Sequence, residues 1–108
     1  MAVDPVAALA LRPRVIDAIC SVYDPEIPVN IYELGLIYQI EIDTSWHVRI
    51  AMTLTAPACP SAQILPIKVE QAVGAVPGVS SVSVDVVWDP PWTADRMSEA
   101  ARLQLGIL

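Results

Sequence analysis

A chain of 108 residues is the size of one domain, so a single core over residues 1–108 is expected, without internal linkers. Hydrophobic residues make up 55% and charged residues 17%, which excludes a disordered chain, and a net charge of -6 opposes binding to nucleic acid. Two cysteines cannot build a disulfide framework, and no secretion signal or membrane-length apolar run is present, so a cytoplasmic protein with free thiols is expected.

Asp4 and Pro5 form a helix-opening pair, and residues 4–12 predict a short helical segment. Pro13 either opens a second helix or kinks a continuous one, which should run to about Tyr23. Val15, Ile19 and Val22 make one apolar row, with Ile16, Cys20 and Tyr23 beside it, so Cys20 is expected to be a small buried hydrophobe. "DPEIPVNIYELGLI" then breaks the helix and continues as a loop to Gly35.

Leu36, Tyr38, Ile40 and Ile42 alternate with Ile37, Gln39, Glu41 and Asp43, which predicts a half-buried strand. After the "DTS" turn, Trp46, Val48, Ile50, Met52 and Leu54 alternate with a polar face of His47, Arg49, Ala51, Thr53 and Thr55. Pro60 to about Val76 reads as a helix interrupted by Pro66, where a kink or a restart is expected. Val82, Val84, Val86 and Trp88 alternate in a third strand, which places Trp88 in the core. A rigid "DPPW" loop precedes a last helix opened near Thr93.

The order helix, hairpin, helix, strand, helix gives an α+β fold, a two-layer sandwich with helices on one face of a three-stranded mixed sheet. The second and third strands should run parallel, because a helix crosses over between them.

Chemistry is sparse along this chain. The one histidine, His47, starts the second strand on its polar face, and the strand separates it from Cys59 by roughly 25–30 Å. His47 is therefore read as solvated surface, and no metal-ligand spacing or phosphate loop occurs. Cys59 sits between Pro57 and Pro60 at the start of the second helix. There, free N–H groups and the helix dipole favour a thiolate. A reactive thiolate and an inert helix cap are both open on position alone. Asp24 and Glu26 flank Pro25 in an acidic turn, and Trp92 follows the stiff Pro-Pro as a half-exposed anchor for a partner. Ile64 and Ile67 lie off the main helical stripe. With Trp92 they would form an apolar rim around Cys59, unless a kink at Pro66 turns them into the core.

"DPEIPVNIYELGLIY", "LTAPACPSAQILP", "VPGV" and "VVWDPPWTADRMSEAARLQLG" resemble the metal-sulfur cluster assembly factor family, the SufT/PaaD-like proteins, over about residues 15–106. The resemblance implies iron-sulfur cluster assembly or maturation by a non-enzymatic carrier or adaptor. Its single functional cysteine falls on Cys59, a transient ligand for iron or a labile cluster shared between chains or with a client. It also implies roles for Asp24 and Glu26 in the acidic loop, for Thr53 and Thr55 at the strand end, and for Trp92 in the DPPW element. The expected partners are scaffold or client apoproteins, with a homodimer as a further option.

The phenylacetate-pathway members carry a cysteine-rich extension after the domain, whereas no cysteine follows Cys59 here, so general assembly is preferred to one dedicated oxygenase. A thiol-dependent redox enzyme would need a base or second thiol near Cys59, and a KH-like nucleic-acid module would need a GXXG loop and basic surface.

Overall fold

The computed structural model describes residues 5–24, 27–55 and 61–106. Helix α1 spans Pro5–Ile19 without interruption, with Pro13 inside it, so the continuous alternative is the one adopted. Leu11, Val15 and Ile19 are buried along one side, and this packing holds the helix together where proline removes a hydrogen bond. The helix stops at Ile19 rather than near Tyr23, because the chain tightens there: Ser21 N–H bonds Ala18 O and Val22 N–H bonds Ile19 O. The buried stripe is consequently narrower than the pattern suggests. Ile16 and Cys20 are only half-buried, and Tyr23 is exposed.

Strand β1 covers Ile37–Ile42 and β2 covers His47–Met52, paired antiparallel. Asp43 closes their turn: its Oδ1 accepts the N–H groups of Ser45 (2.8 Å) and His47 (3.0 Å), which hold the carboxyl below its ordinary range. Trp46 belongs to this turn, at φ +63°, and not to β2 as the alternation suggested. A bulge moves the register between Ile37 and Gln39, so Ile37 rather than Tyr38 stands opposite Met52.

Helix α2 (Ser61–Gly74) connects β2 to β3 (Ser81–Val86), and β2 and β3 run parallel in the sheet order β1-β2-β3. Pro66 lies inside α2 without forcing a restart. Leu65, Val69 and Val73 on α2 are fully buried, as are Val48, Ile50 and Met52 on β2. The opposite sheet face exposes Glu41, Arg49 and Asp85, and there His47 bridges Ser81 (2.6 Å) and Ser83 (2.9 Å). One face is thus covered and the other open, in the expected two-layer arrangement.

Trp88 lies beyond the end of β3 and is 47% exposed, so it is not core. The chain leaves the ladder after Val86, with Val87 N–H still bonding Met52 O, and the alternation ends with it. Thr93 precedes only a 3-10 turn, Ala94–Arg96. The last helix, α3 (Glu99–Gln104), is opened by Ser98, whose hydroxyl accepts from Ala101 N–H.

Gly35 and Gly106 share a positive φ, +80° and +75°, but a Cβ on Gly35 would lie 2.2 Å from Arg96 O while one on Gly106 meets nothing within 4 Å. Gly106→Ala should cost about 1 kcal/mol and Gly35→Ala more than about 2 kcal/mol, because only the latter adds a backbone clash. Urea unfolding of both variants measures the difference, and equal losses would refute the close approach.

Candidate functional site

Three stretches meet at one end of the fold: the turn before β1, the exit of β2 and the loop after β3. The first is built by backbone bonds. Ile31 N–H bonds Val22 O, and Tyr23 pairs with Asn30, which closes the acidic loop that begins at Asp24. Asn30 Oδ1 accepts Glu33 N–H (2.9 Å), and a helical turn brings Leu34 N–H to Asn30 O. Ile31, Leu34 and Leu36 are fully buried in consequence.

The carbonyls of this turn then receive the other two stretches. Leu36 O accepts Thr53 N–H (2.8 Å) at the exit of β2. Leu34 O accepts Trp92 Nε1–H (2.7 Å), and Glu33 O accepts Ser98 N–H (2.9 Å). Tyr38 donates to Pro90 O (2.8 Å), and the Arg96 guanidinium lies 4.6 Å from the centre of the Tyr38 ring. Gly35, Ile37, Tyr38, Pro90 and Arg96 line an open groove of about 440 Å³ between them.

Asp24 is buried, five residues beyond the end of α1. Thr53 is fully buried, which corrects its expected place on the solvated face: the sheet's open side ends at Met52, where the buried turn around Leu36 takes over. Its Oγ1 has no hydrogen-bond partner among the described residues. Thr55 is half-buried just beyond it. Trp92 is half-buried, as expected, and packs against the core with its N–H committed to Leu34, so it anchors its own loop. Ile64 and Ile67 are 45% and 55% exposed, so Pro66 does not turn them inward. Glu26 and Cys59, with Pro57 and Pro60, lie outside the described residues. So does the proposed cap at Cys59.

Cys20 is half-buried rather than buried. Its thiol is pushed up from the ordinary 9.0, first by desolvation and then by the Glu33 and Asp17 carboxylates. Helical spacing places Asp17 three residues before Cys20, whereas Glu33 comes from a separate segment that periodicity could not show. The Arg96–Tyr38 stack and the His47–serine bridge were likewise missed, since both depend on how distant segments meet.

Residues 12–86 match the family described as "Iron-sulfur cluster assembly protein", and the chain belongs to that family. It is 49% identical over 88 residues to a "Fe-S protein maturation auxiliary factor" of Porphyromonas gingivalis, covering 82% of this chain and 84% of that one. It is also 32% identical over 98 residues to an "Iron-sulfur cluster carrier protein" of Mycobacterium leprae, covering 91% of this chain but 24% of that protein. Among solved structures, a "Domain of Unknown Function DUF59" from Bacillus anthracis superposes with TM-score 0.89 at 35% identity, covering 97% of this chain and all of that one.

Two measurements follow from the site. In Cys59→Ser, alkylation of the remaining Cys20 should be slow at neutral pH and rise only above the ordinary thiol range; a midpoint at or below 9.0 would contradict its burial and carboxylate surroundings. Thr53→Val should leave stability unchanged or raise it by up to about 1 kcal/mol, because it removes a buried hydroxyl that lacks a partner. A loss above about 1 kcal/mol in chemical denaturation would show that the hydroxyl is bonded.

Proposed function

We propose that this chain is a maturation factor for iron-sulfur proteins, working in the cytoplasm as a non-enzymatic adaptor that holds iron or a labile cluster on Cys59 while a client receives it. The observation that carries this reading is the apolar exposure at the start of α2. Cys59 stands two residues before Ser61, where α2 begins, and Ile64 and Ile67 are solvent-facing in the first two turns. A ligating thiolate and a docking surface would thus share one short segment. The maturation-factor and carrier names of the relatives support the same role.

Cluster chemistry defines the partner. Iron-sulfur clusters take four protein ligands as a rule, and Cys59 supplies one. Among the described residues, no group of three or more His, Cys, Asp or Glu side chains could hold a metal ion. In this reading the remaining ligands come from a scaffold or a client apoprotein. In the same reading the acidic loop of Asp24 and Glu26 contributes to client recognition, as the resemblance implies, while Thr53 and Thr55 shape the segment that leads to Cys59. The hydroxyl of Thr53 is kept for this role at some cost in stability.

Anaerobic transfer from a loaded scaffold to an apo-client, followed by recovery of client activity, tests the proposal. Cys59→Ser should abolish the chain's contribution. Ile64→Asp should preserve the melting curve and Cys59 alkylation, yet weaken client binding about tenfold, through loss of roughly 1.4 kcal/mol of apolar contact. Undiminished transfer by Cys59→Ser would overturn the role of the thiolate. A collapse of stability in Ile64→Asp would overturn the docking surface.

A further inference from the structure

The two edges of the sheet are not alike. Asp43 N–H bonds His47 O, so the alternation of the ladder points the carbonyl of Ile40 outward from β1. Arg12 Nη1 donates to that carbonyl at 2.8 Å, so α1 guards this edge. On β3, Val87 N–H bonds Met52 O, and the unbroken register makes Ser81, Ser83 and Asp85 the residues that face β2 through their backbones. Val82, Val84 and Val86 therefore direct N–H and C=O away from the sheet. Among the described residues no hydrogen bond reaches that side. The strand, SVSVDV, carries no lysine, proline or bulge that would block pairing.

We propose that a second copy of this chain adds its β3 antiparallel to this edge across a two-fold axis, making a six-stranded sheet. Only residues with outward-facing groups can exchange hydrogen bonds there, which restricts a centred pairing to an axis at Ser83 or Val84. With the axis at Val84, Val84 meets its own copy, Val82 meets Val86, and Ser83 stands opposite Asp85 of the second copy. With the axis at Ser83, Val82 meets Val84, and Ser81 stands opposite Asp85 of the second copy. Either register pairs valine with valine on the helix-bearing face, where these side chains are only half-buried. Each also sets a serine, rather than a second carboxylate, opposite the exposed Asp85. An axis at Asp85 would set two carboxylates against each other and is disfavoured.

This pairing bears on the proposed function, on which only this consequence rests. Antiparallel β3 strands point the starts of the two α2 helices toward opposite ends of the dimer. Each copy then works with its own client, and the two chains do not share one cluster.

Sedimentation equilibrium of the full chain, of Val84→Pro and of Ser83→Asp tests the edge. Val84→Pro removes an outward N–H without touching the ladder to β2. Ser83→Asp sets carboxylates opposite one another in the pairing while its own site lies on the open face. The wild type should dimerise, both variants should dissociate at least tenfold more readily, and Ile64→Asp should dimerise like the wild type. A wild type that stays monomeric, or a Ser83→Asp variant that dimerises equally well, would overturn the proposal, whatever becomes of the fold of Val84→Pro. Cluster transfer by monomeric Ser83→Asp should persist, which separates failure of the edge from failure of the transfer role.

Discussion

The contact between Gly35 and the backbone of Arg96 sets the terms for this end of the molecule. With 2.2 Å between an ideal Cβ and the Arg96 oxygen, no side chain fits, and the two backbones lie against one another. Around that approach, the carbonyls of Glu33, Leu34 and Leu36 accept from Ser98, Trp92 and Thr53. Each such bond contributes only about 1 kcal/mol net. Their value is positional: one turn fixes the exit of β2, the loop after β3 and the start of α3 relative to each other.

For the proposed role, that arrangement would separate a fixed part of the site from a docking part. Thr53 is held by its backbone bond to Leu36 and by complete burial, so the segment leading to Cys59 departs from a rigid base. Ile64 and Ile67, by contrast, lie on the outer side of α2, opposite the buried row of Leu65, Val69 and Val73. The helix can thus meet a partner without disturbing the core that holds the strand end. The groove beside Tyr38 and Arg96 belongs to the same hub, and the Tyr38–Pro90 hydrogen bond and the Arg96–Tyr38 stack hold residues 88–97 against β1.

Much of this was legible in the sequence wherever a single periodicity governed burial. Val48, Ile50 and Met52 alternate inward as the pattern requires, and Leu65, Val69 and Val73 follow the helical row. The pattern failed where another segment intervened. Thr53 reads as polar-face by parity, yet the turn around Leu36 covers it. Trp88 reads as core by parity, yet the strand has ended before it. Tyr38 loses its expected place to a bulge, and Trp46 to a turn conformation that alternation cannot foresee. Of the site, Asp24, Thr53, Thr55 and Trp92 were marked by family resemblance, whereas the approach of Arg96 to Gly35 is a tertiary fact with no local signature beyond the glycine itself.

The central claim is that cargo on this chain is completed by ligands from a client. Native mass spectrometry of the chain incubated anaerobically with iron, sulfide and an apo-client tests it most directly. The account predicts a cluster-bearing complex containing both proteins, lost when Cys59 is alkylated beforehand. A cluster retained by this chain alone, and unaffected by alkylation of Cys59, would contradict it.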